Sequence, residues 1–304
     1  MRRFHTISEF HEFAGLPKPQ HPLLSVVNVG AIPPPPPGRE PESLVLDFYA
    51  FSVKRMRNVQ VRYGQHPFDF QEGILSFLAP GQVFSVAVVD EAHGLERSGW
   101  VVNVHPDFLW HTPLATTIRQ FDFWDYSLTE ALFLSAREEA TILGLIQAID
   151  QEYQATIDQF SKPILISHLE SLLRYADRFY HRQFITREKV NHEVLTRVEE
   201  LLQTYFNGSD LATRGLPTVQ YLADCLHLSP KYLSSLLRVL TGQNTQQHIH
   251  DWLLAKAKEK LSTTTLTVSE IAYQLGFEHL QSFSKLFKTK TGLSPLEFRA
   301  SFPS

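Results

Sequence analysis

Two stretches of this chain are versions of one unit, and any fold must place them equivalently. "VQYLADCLHLSPKYLSSLLRVLTG" begins at Val219 and "VSEIAYQLGFEHLQSFSKLFKTKTG" at Val268. Leu222-Ala223 aligns with Ile271-Ala272 at an offset of 49, while Leu233-Ser234 aligns with Phe283-Ser284 and Thr241-Gly242 with Thr291-Gly292 at 50. One extra residue therefore sits at the second unit's turn. Such self-similarity means repeated supersecondary structure, each copy covering part of a common core.

Each copy reads helix, tight turn, helix. In the second, Thr267 followed by Glu270 predicts a capping box, and Gly276 supplies the left-handed residue that ends the helix. In the first, Ser229 predicts an N-cap and Pro230 suits the first turn that follows. Leu233, Leu236, Leu237 and Leu240 form a buried stripe, as do Phe283, Leu286 and Phe287 in the second copy. Left on the outer faces are Lys231, Ser234, Ser235 and Arg238, then Leu280, Gln281, Ser284, Lys285 and Lys288. These are mostly hydrogen-bonding or cationic, and they cluster toward the start of each second helix.

A helix-turn-helix puts that end into the DNA major groove, where such side chains reach base edges and phosphates. An ordinary bundle would use the same residues as a solvated face. Two copies joined by "TQQHIHDWLLAKAKEKLS" favour DNA, because a helix of about 17 residues spans ~25 Å and with its turns sets two readers about one DNA turn, ~34 Å, apart. Bulk charge does not decide this. Residues 190–304 hold 11 Lys+Arg against 10 Asp+Glu, residues 1–189 hold 17 against 22, and the net is −4. Binding must come from how the charges are arranged.

Residues from about Val194 to Phe302 resemble the DNA-binding domain of the AraC/XylS family of bacterial transcription regulators. The matching stretches are "AKAKEKL", "VSEIAYQLGF", "SFSKLFK" and "TGLSPLEFR". The resemblance covers about a third of the chain and implies two helix-turn-helix units and promoter binding. It places base-reading positions on Lys231, Ser234 and Ser235, and on Leu280, Gln281, Ser284 and Lys285. Leu280 departs from the family's usual polar residue and suits a thymine methyl group. Leu253 stands where the linking helix often carries an arginine, which removes one backbone contact. Ser234 and Ser235 are short, so the first unit is expected to act through phosphate and shape.

The first half reads as β-rich. "ESLVLDFYAFSVKR", "ILSFLAPGQVFSVAVVD" and "GWVVNVHPDFLW" are β-branched and aromatic runs punctuated by Gly, Pro and Asp. "IPPPPPG" cannot join a central sheet and is expected as an exposed arm. From about Ala136 the period changes, predicting amphipathic helices over about 139–159 and 164–182 with Pro163 between them. The second carries an apolar face (Ile164, Ile166, Leu169, Leu172, Leu173, Ala176, Phe179) that packs on the strands or pairs with another copy; pairing is favoured.

The fold class expected is α+β: the AraC/XylS resemblance implies a cupin-like barrel for the β-rich half, with a helical hairpin, followed by an all-α domain. Domains are expected at 1–183 for sensing and dimerisation and at 193–304 for DNA binding, with a linker at 184–192. Aromatic residues of the barrel, with Tyr49, Phe84 and Trp100 foremost, are candidates for an effector pocket, and Arg55, Arg62 or His66 would orient an anionic group. The competing use of the same aromatics is simple core filling.

A metal-binding cupin would show a close His-x-His pair. His66, His93, His105 and His111 are scattered, and His248 and His250, on the linking helix, diverge by about 200° around its axis. There is no nucleophile elbow, P-loop or GxGxxG, so no catalytic residue, metal or cofactor is expected. A cupin-type metalloenzyme carrying a DNA module is the alternative reading, and a constitutive DNA-binding protein with a barrel scaffold is a third.

No run of about 18 apolar residues predicts a membrane helix, and the N-terminus lacks the apolar segment of a secretory signal. The single cysteine, Cys225, is expected in the core and fits a reducing cytoplasm. The expected partners are double-stranded promoter or operator DNA, a small-molecule effector, a second copy of the chain and RNA polymerase.

Overall fold

The computed structural model describes residues 1–31, 43–56, 62–63, 66–67, 73–85, 97–127, 130–186, 188–208, 211 and 214–302. The chain divides into two compact units, Met1–Gln183 and Phe184–Ser304. The proline run at 33–37 lies outside the described residues.

Among the described residues the first unit holds ten strands: β1 (Arg2–Phe4), β2 (Leu24–Asn28), β3 (Ser43–Leu46), β4 (Tyr49–Met56), β5 (Arg62–Tyr63), β6 (His66–Pro67), β7 (Gly73–Leu78), β8 (Val83–Ser85), β9 (Arg97–Val104) and β10 (Leu132–Leu134). An antiparallel five-stranded sheet runs β10-β7-β4-β9-β2, a three-stranded one β1-β3-β8, and β5 pairs with β6. Closing a barrel requires pairing from edge to edge, and among the described residues the sheets stay separate rather than closing. The β-rich, mixed class stands; the closed barrel does not appear.

Alternation along the strands gives the large sheet two distinct faces. Tyr49, Phe51 and Val53 share one with their partners Val104, Val102 and Trp100. That face is packed by Phe123 and Trp124: Phe77 lies 4.2 Å from Phe123, and Tyr49 lies 4.7 Å from Trp124, centroid to centroid. The other face carries Ala50, Ser52, Asn103 and Ser25, and it is covered by α1 (Ile7–Phe13), capped by Thr6 and Glu9. Here a buried polar chain forms. His11 Nδ1 donates to the Pro17 carbonyl (2.7 Å), which leaves Nε2 to accept from the Ser25 hydroxyl (3.0 Å), and Ser25 Oγ accepts from Asn103 Nδ2 (2.9 Å).

After the short α2 (Leu114–Thr117) come α3 (Ala136–Gln154) and α4 (Ser161–Thr186). Both start earlier than their hydrophobic period suggests, because caps set the ends. Ser135 and Glu138 form a capping box, and Asp158 Oδ1 accepts from the N–H groups of Phe160 and Ser161. Pro163 falls in the first turn of α4, where its missing N–H costs nothing. Most of the apolar stripe expected to pair with a second copy is instead buried within the single chain, while Ile164 at its start is exposed. Leu169, Leu172, Leu173 and Ala176 are at most 2% exposed, and Tyr180 stacks on Phe123 at 5.7 Å. Arg182 ties α4 to the α3 cap through Glu138 (2.6 Å) and to the Phe133 carbonyl (2.8 Å).

The second unit is helical: α5 (Glu188–Asn207), α6 (Val219–Leu226), α7 (Pro230–Thr241), α8 (Thr245–Thr263), α9 (Val268–Gln274), α10 (Leu280–Thr291) and α11 (Pro295–Ala300). Helix thus occupies the described residues of the stretch expected as a linker. One core serves both repeats. Leu222, Leu233 and Leu237 of the first and Ile271, Phe283 and Phe287 of the second are almost wholly buried with Ile249, Leu253 and Ala257 of α8.

The turns are the same turn. Leu228 N–H donates to the Ala223 carbonyl and Phe277 N–H to Ala272, both at 3.0 Å, closing each helix over a left-handed residue. That residue is His227 (φ 56°) in the first copy and Gly276 (φ 81°) in the second. The extra residue follows it, as Phe277 and Glu278 lead to the N-cap His279 where Leu228 alone leads to Ser229. Gly276 is irreplaceable for a second reason: a Cβ there would lie 2.8 Å from both the Gly215 Cα and the Leu211 carbonyl oxygen.

Gly276→Ala is therefore expected to destabilise the protein by more than the ~1–2 kcal/mol of a left-handed alanine alone. Gly292→Ala, with φ 78° but nothing within 4 Å of an added Cβ, should cost only that strain. Denaturant unfolding of both variants checks this; equal losses would remove the close approach from the explanation.

Candidate nucleic-acid interface

Helix α7 begins with a side-chain cap, Ser229 Oγ accepting from Tyr232 N–H at 3.2 Å, with Pro230 in its first turn. It ends at Gly242 (φ 77°), whose N–H donates to the Arg238 carbonyl at 2.9 Å. Helix α10 ends in the same way, Gly292 donating to Lys288, but its N-cap His279 makes no side-chain cap bond. Both helices bury apolar residues on the shared core and turn the opposite side outward.

Of the nine residues expected to face DNA, six are exposed: Lys231 and Arg238 on α7, and Leu280, Gln281, Lys285 and Lys288 on α10. Ser234 and Ser284 are half-buried. Ser234 Oγ lies 3.1 Å from Thr245 Oγ1 at the start of α8, so part of its hydrogen-bonding capacity is used within the protein. Ser235 is buried at 9% exposure, so the face is covered at its position. Leu253 is 1% exposed in the core, so its position on α8 does not present a side chain to DNA. The exposed Ser282, in the first turn of α10, escaped the sequence reading. The signal was its alignment with Tyr232, a residue whose size hides the outward position they share.

The linking helix keeps its two histidines apart, as the 200° separation requires. His248 Nε2 donates to Thr241 Oγ1 (2.9 Å), whose own hydroxyl proton goes to the Leu237 carbonyl (2.8 Å). His250 Nε2 meets Gln246 instead (2.9 Å). Burial pushes the His248 pKa down, against the opposing pull of Asp251 and Glu199. Burial and then Lys290 push His250 down as well. Cys225, on α6, is half-buried.

The effector candidates of the first unit do not converge. Tyr49 and Trp100 share the sheet face packed by Trp124, whereas Phe84 joins the cluster of Phe4, Leu46 and Phe48 that includes Ala50 of the opposite face. The side chains of Arg55, Arg62 and His66, and His93 altogether, lie outside the described residues. Among the described residues no three His, Cys, Asp or Glu side chains gather as metal donors, and no helix is long and apolar enough to cross a membrane.

The helical half of the chain is similar to known proteins. A family model described as a helix-turn-helix domain matches residues 222–301. The arabinose operon regulatory protein of Salmonella typhimurium is 30% identical over 142 residues, 47% of this chain and 47% of that protein. The helical unit is an AraC-type DNA-binding domain. An uncharacterized HTH-type transcriptional regulator of Bacillus subtilis, YobQ, is 35% identical over 82 residues, 27% of this chain and 34% of that protein. The chain thus spans less than half the length of these curated relatives. A solved structure, the C-terminal domain of the response regulator AraT from Geobacillus stearothermophilus, is 29% identical. It covers 36% of this chain and 87% of that one, with a TM-score of 0.33.

The AraC-type domain carries a pH dependence of its own. Burial favours neutral His248 and His250, so the unfolded chain binds more protons than the folded one below the ordinary value of 6.5. Stability is expected to fall as the pH drops through 6.5 toward the lowered folded values. Thermal unfolding against pH checks this, and His248→Gln, which still donates to Thr241, should shrink the acid loss. An unchanged profile would contradict it.

Proposed function

We propose that this chain is a sequence-specific, DNA-binding transcription regulator whose first unit senses a small molecule. The observation that carries the reading is the pair of outward faces on one core: Lys231 and Arg238 from the first copy, Gln281, Lys285 and Lys288 from the second. The linking helix α8, at 19 residues, is about 28 Å long, which suits two readers about one DNA turn apart. Lys285 is a base reader, suited to guanine O6 and N7. Arg238 and Lys288, nearer the helix ends, neutralise phosphates. Operon regulators among the relatives support promoter DNA as the partner.

The first unit is read as cupin-like and as the sensor. The His11–Ser25–Asn103 chain between α1 and the large sheet, beside the cluster shared by α1 and the smaller sheet, supports a ligand-binding scaffold better than the self-packed aromatic face does. Ligand acts only by binding one arrangement of the protein better than another, and the coupling to DNA is reciprocal. A second copy of the chain and RNA polymerase complete the partners; dimer contacts would use side chains outside the buried stripe of α4, such as the exposed Tyr175.

Selection of bound duplexes from a random pool, followed by titration against salt, tests the reading. Arg238→Ala and Lys288→Ala are expected to weaken binding evenly across sequences and to flatten the salt slope by about one unit each. Lys285→Ala should relax sequence preference as well. Binding that enriches no sequence, or a Lys285→Ala protein with unaltered preference, would overturn the assignment.

A further inference from the structure

We infer that the two reading helices are unequal, and that Ser282 of α10 is a base-edge reader while α7 holds DNA mainly by its phosphates. The inference rests on the regulator reading and assigns specificity within it.

The repeat makes the comparison direct. At the offset of 50, Tyr232 stands opposite Ser282, Ser235 opposite Lys285 and Val239 opposite Thr289. Spaced three and four apart, each trio lies along one side of its helix. On α10 all three members are exposed. On α7 Tyr232 and Ser235 are 8% and 9% exposed, and Val239 is half-buried. The same side of the same structural unit is sealed in one copy and open in the other.

The cause of the sealing is local to the helical unit. The Tyr232 ring meets Phe184 edge-on at 5.0 Å, and Phe184 is 1% exposed. Asn191 Nδ2, on α5, donates to the Phe184 carbonyl at 2.6 Å and so helps hold Phe184 in place. Phe184 thereby covers the side of α7 that Tyr232 shares with Ser235 and Val239. Ser234, on the adjoining side, is committed to Thr245. What α7 still presents is Lys231 and Arg238, charges suited to phosphate oxygens.

Helix α10 offers the opposite inventory in its first two turns. Leu280 fits a thymine methyl, Gln281 can pair with adenine N6 and N7, and Lys285 reaches guanine. Ser282 sits between them, with a hydroxyl that both donates and accepts and is short enough to meet a base edge only where the helix lies close. A duplex fitted to this protein therefore carries one block of strong base preference, set by α10, and a second block about one turn away defined by shape and backbone.

The test uses the full chain and a randomised duplex pool. The expected result is one strong and one weak block, with Ser282→Ala losing about fivefold discrimination at one base pair of the strong block and keeping its affinity for random DNA. Ser282→Asn should move the preferred base at that same pair. Two blocks of equal strength, or Ser282 variants with the parent's preferences, would overturn the inference while leaving the regulator reading intact. Absence of any enriched duplex would overturn both. Because Ser282 is exposed, its variants are expected to unfold at the parent's temperature, and circular dichroism verifies that the comparison is between folded proteins.

Discussion

The close approach of Gly276 to the backbone at Leu211 and Gly215 is the constraint on which the helical unit turns. The left-handed turn of the second repeat is pressed against the segment that precedes the first, with no room for even a methyl group. Tyr205 holds the other side of that segment, its hydroxyl donating to the Gly215 carbonyl at 3.0 Å. Two helix-turn-helix units that could each have been a separate bead are locked into one body by this contact and by the core beneath α8. Fixed separation of two readers is what lets a single chain address two successive major-groove faces.

The first unit is organised by a different rule, the alternation of side chains along its strands. Aromatic residues on one face of the large sheet pack against Phe123, Trp124 and Tyr180, so they act as core. Small and polar residues on the other face meet α1 and the smaller sheet. The tie from Arg182 to Glu138 and Phe133, with Gln183 bonded to Phe133 N–H and the Ala131 carbonyl, covers the edge strand β10 that would otherwise expose unpaired backbone groups.

What the sequence displayed and what it hid divide along physical lines. The capping boxes at Thr267 and Ser135, the Ser229 cap and the left-handed Gly276 are set by residues within four positions of one another, so local chemistry shows them. The sequence shows Thr267, Ser229 and the one-residue insertion between the repeats directly; the Ser135 box lies ahead of the hydrophobic period, so that period alone starts α3 three residues late. Burial that depends on a distant partner was not visible. Nothing near Ser235 announces that Phe184, some fifty residues earlier, covers the side of α7 that it shares. The aromatic candidates divide for a related reason: without strand register, Tyr49 and Phe84 look like neighbours, yet they belong to different sheets and different clusters. The apolar stripe of α4 was correctly seen as a packing surface, but periodicity alone does not say whose surface meets it.

The most direct test of the account is chemical footprinting of the full protein on a selected duplex, comparing backbone cleavage with protection of guanine N7 in the major groove. Backbone protection in two patches about ten base pairs apart on one side of the duplex, with guanine protection in only one of them, is the expected result. A single protected patch would contradict the fixed double reader. Guanine protection of equal strength in both patches would contradict the sealed face of α7.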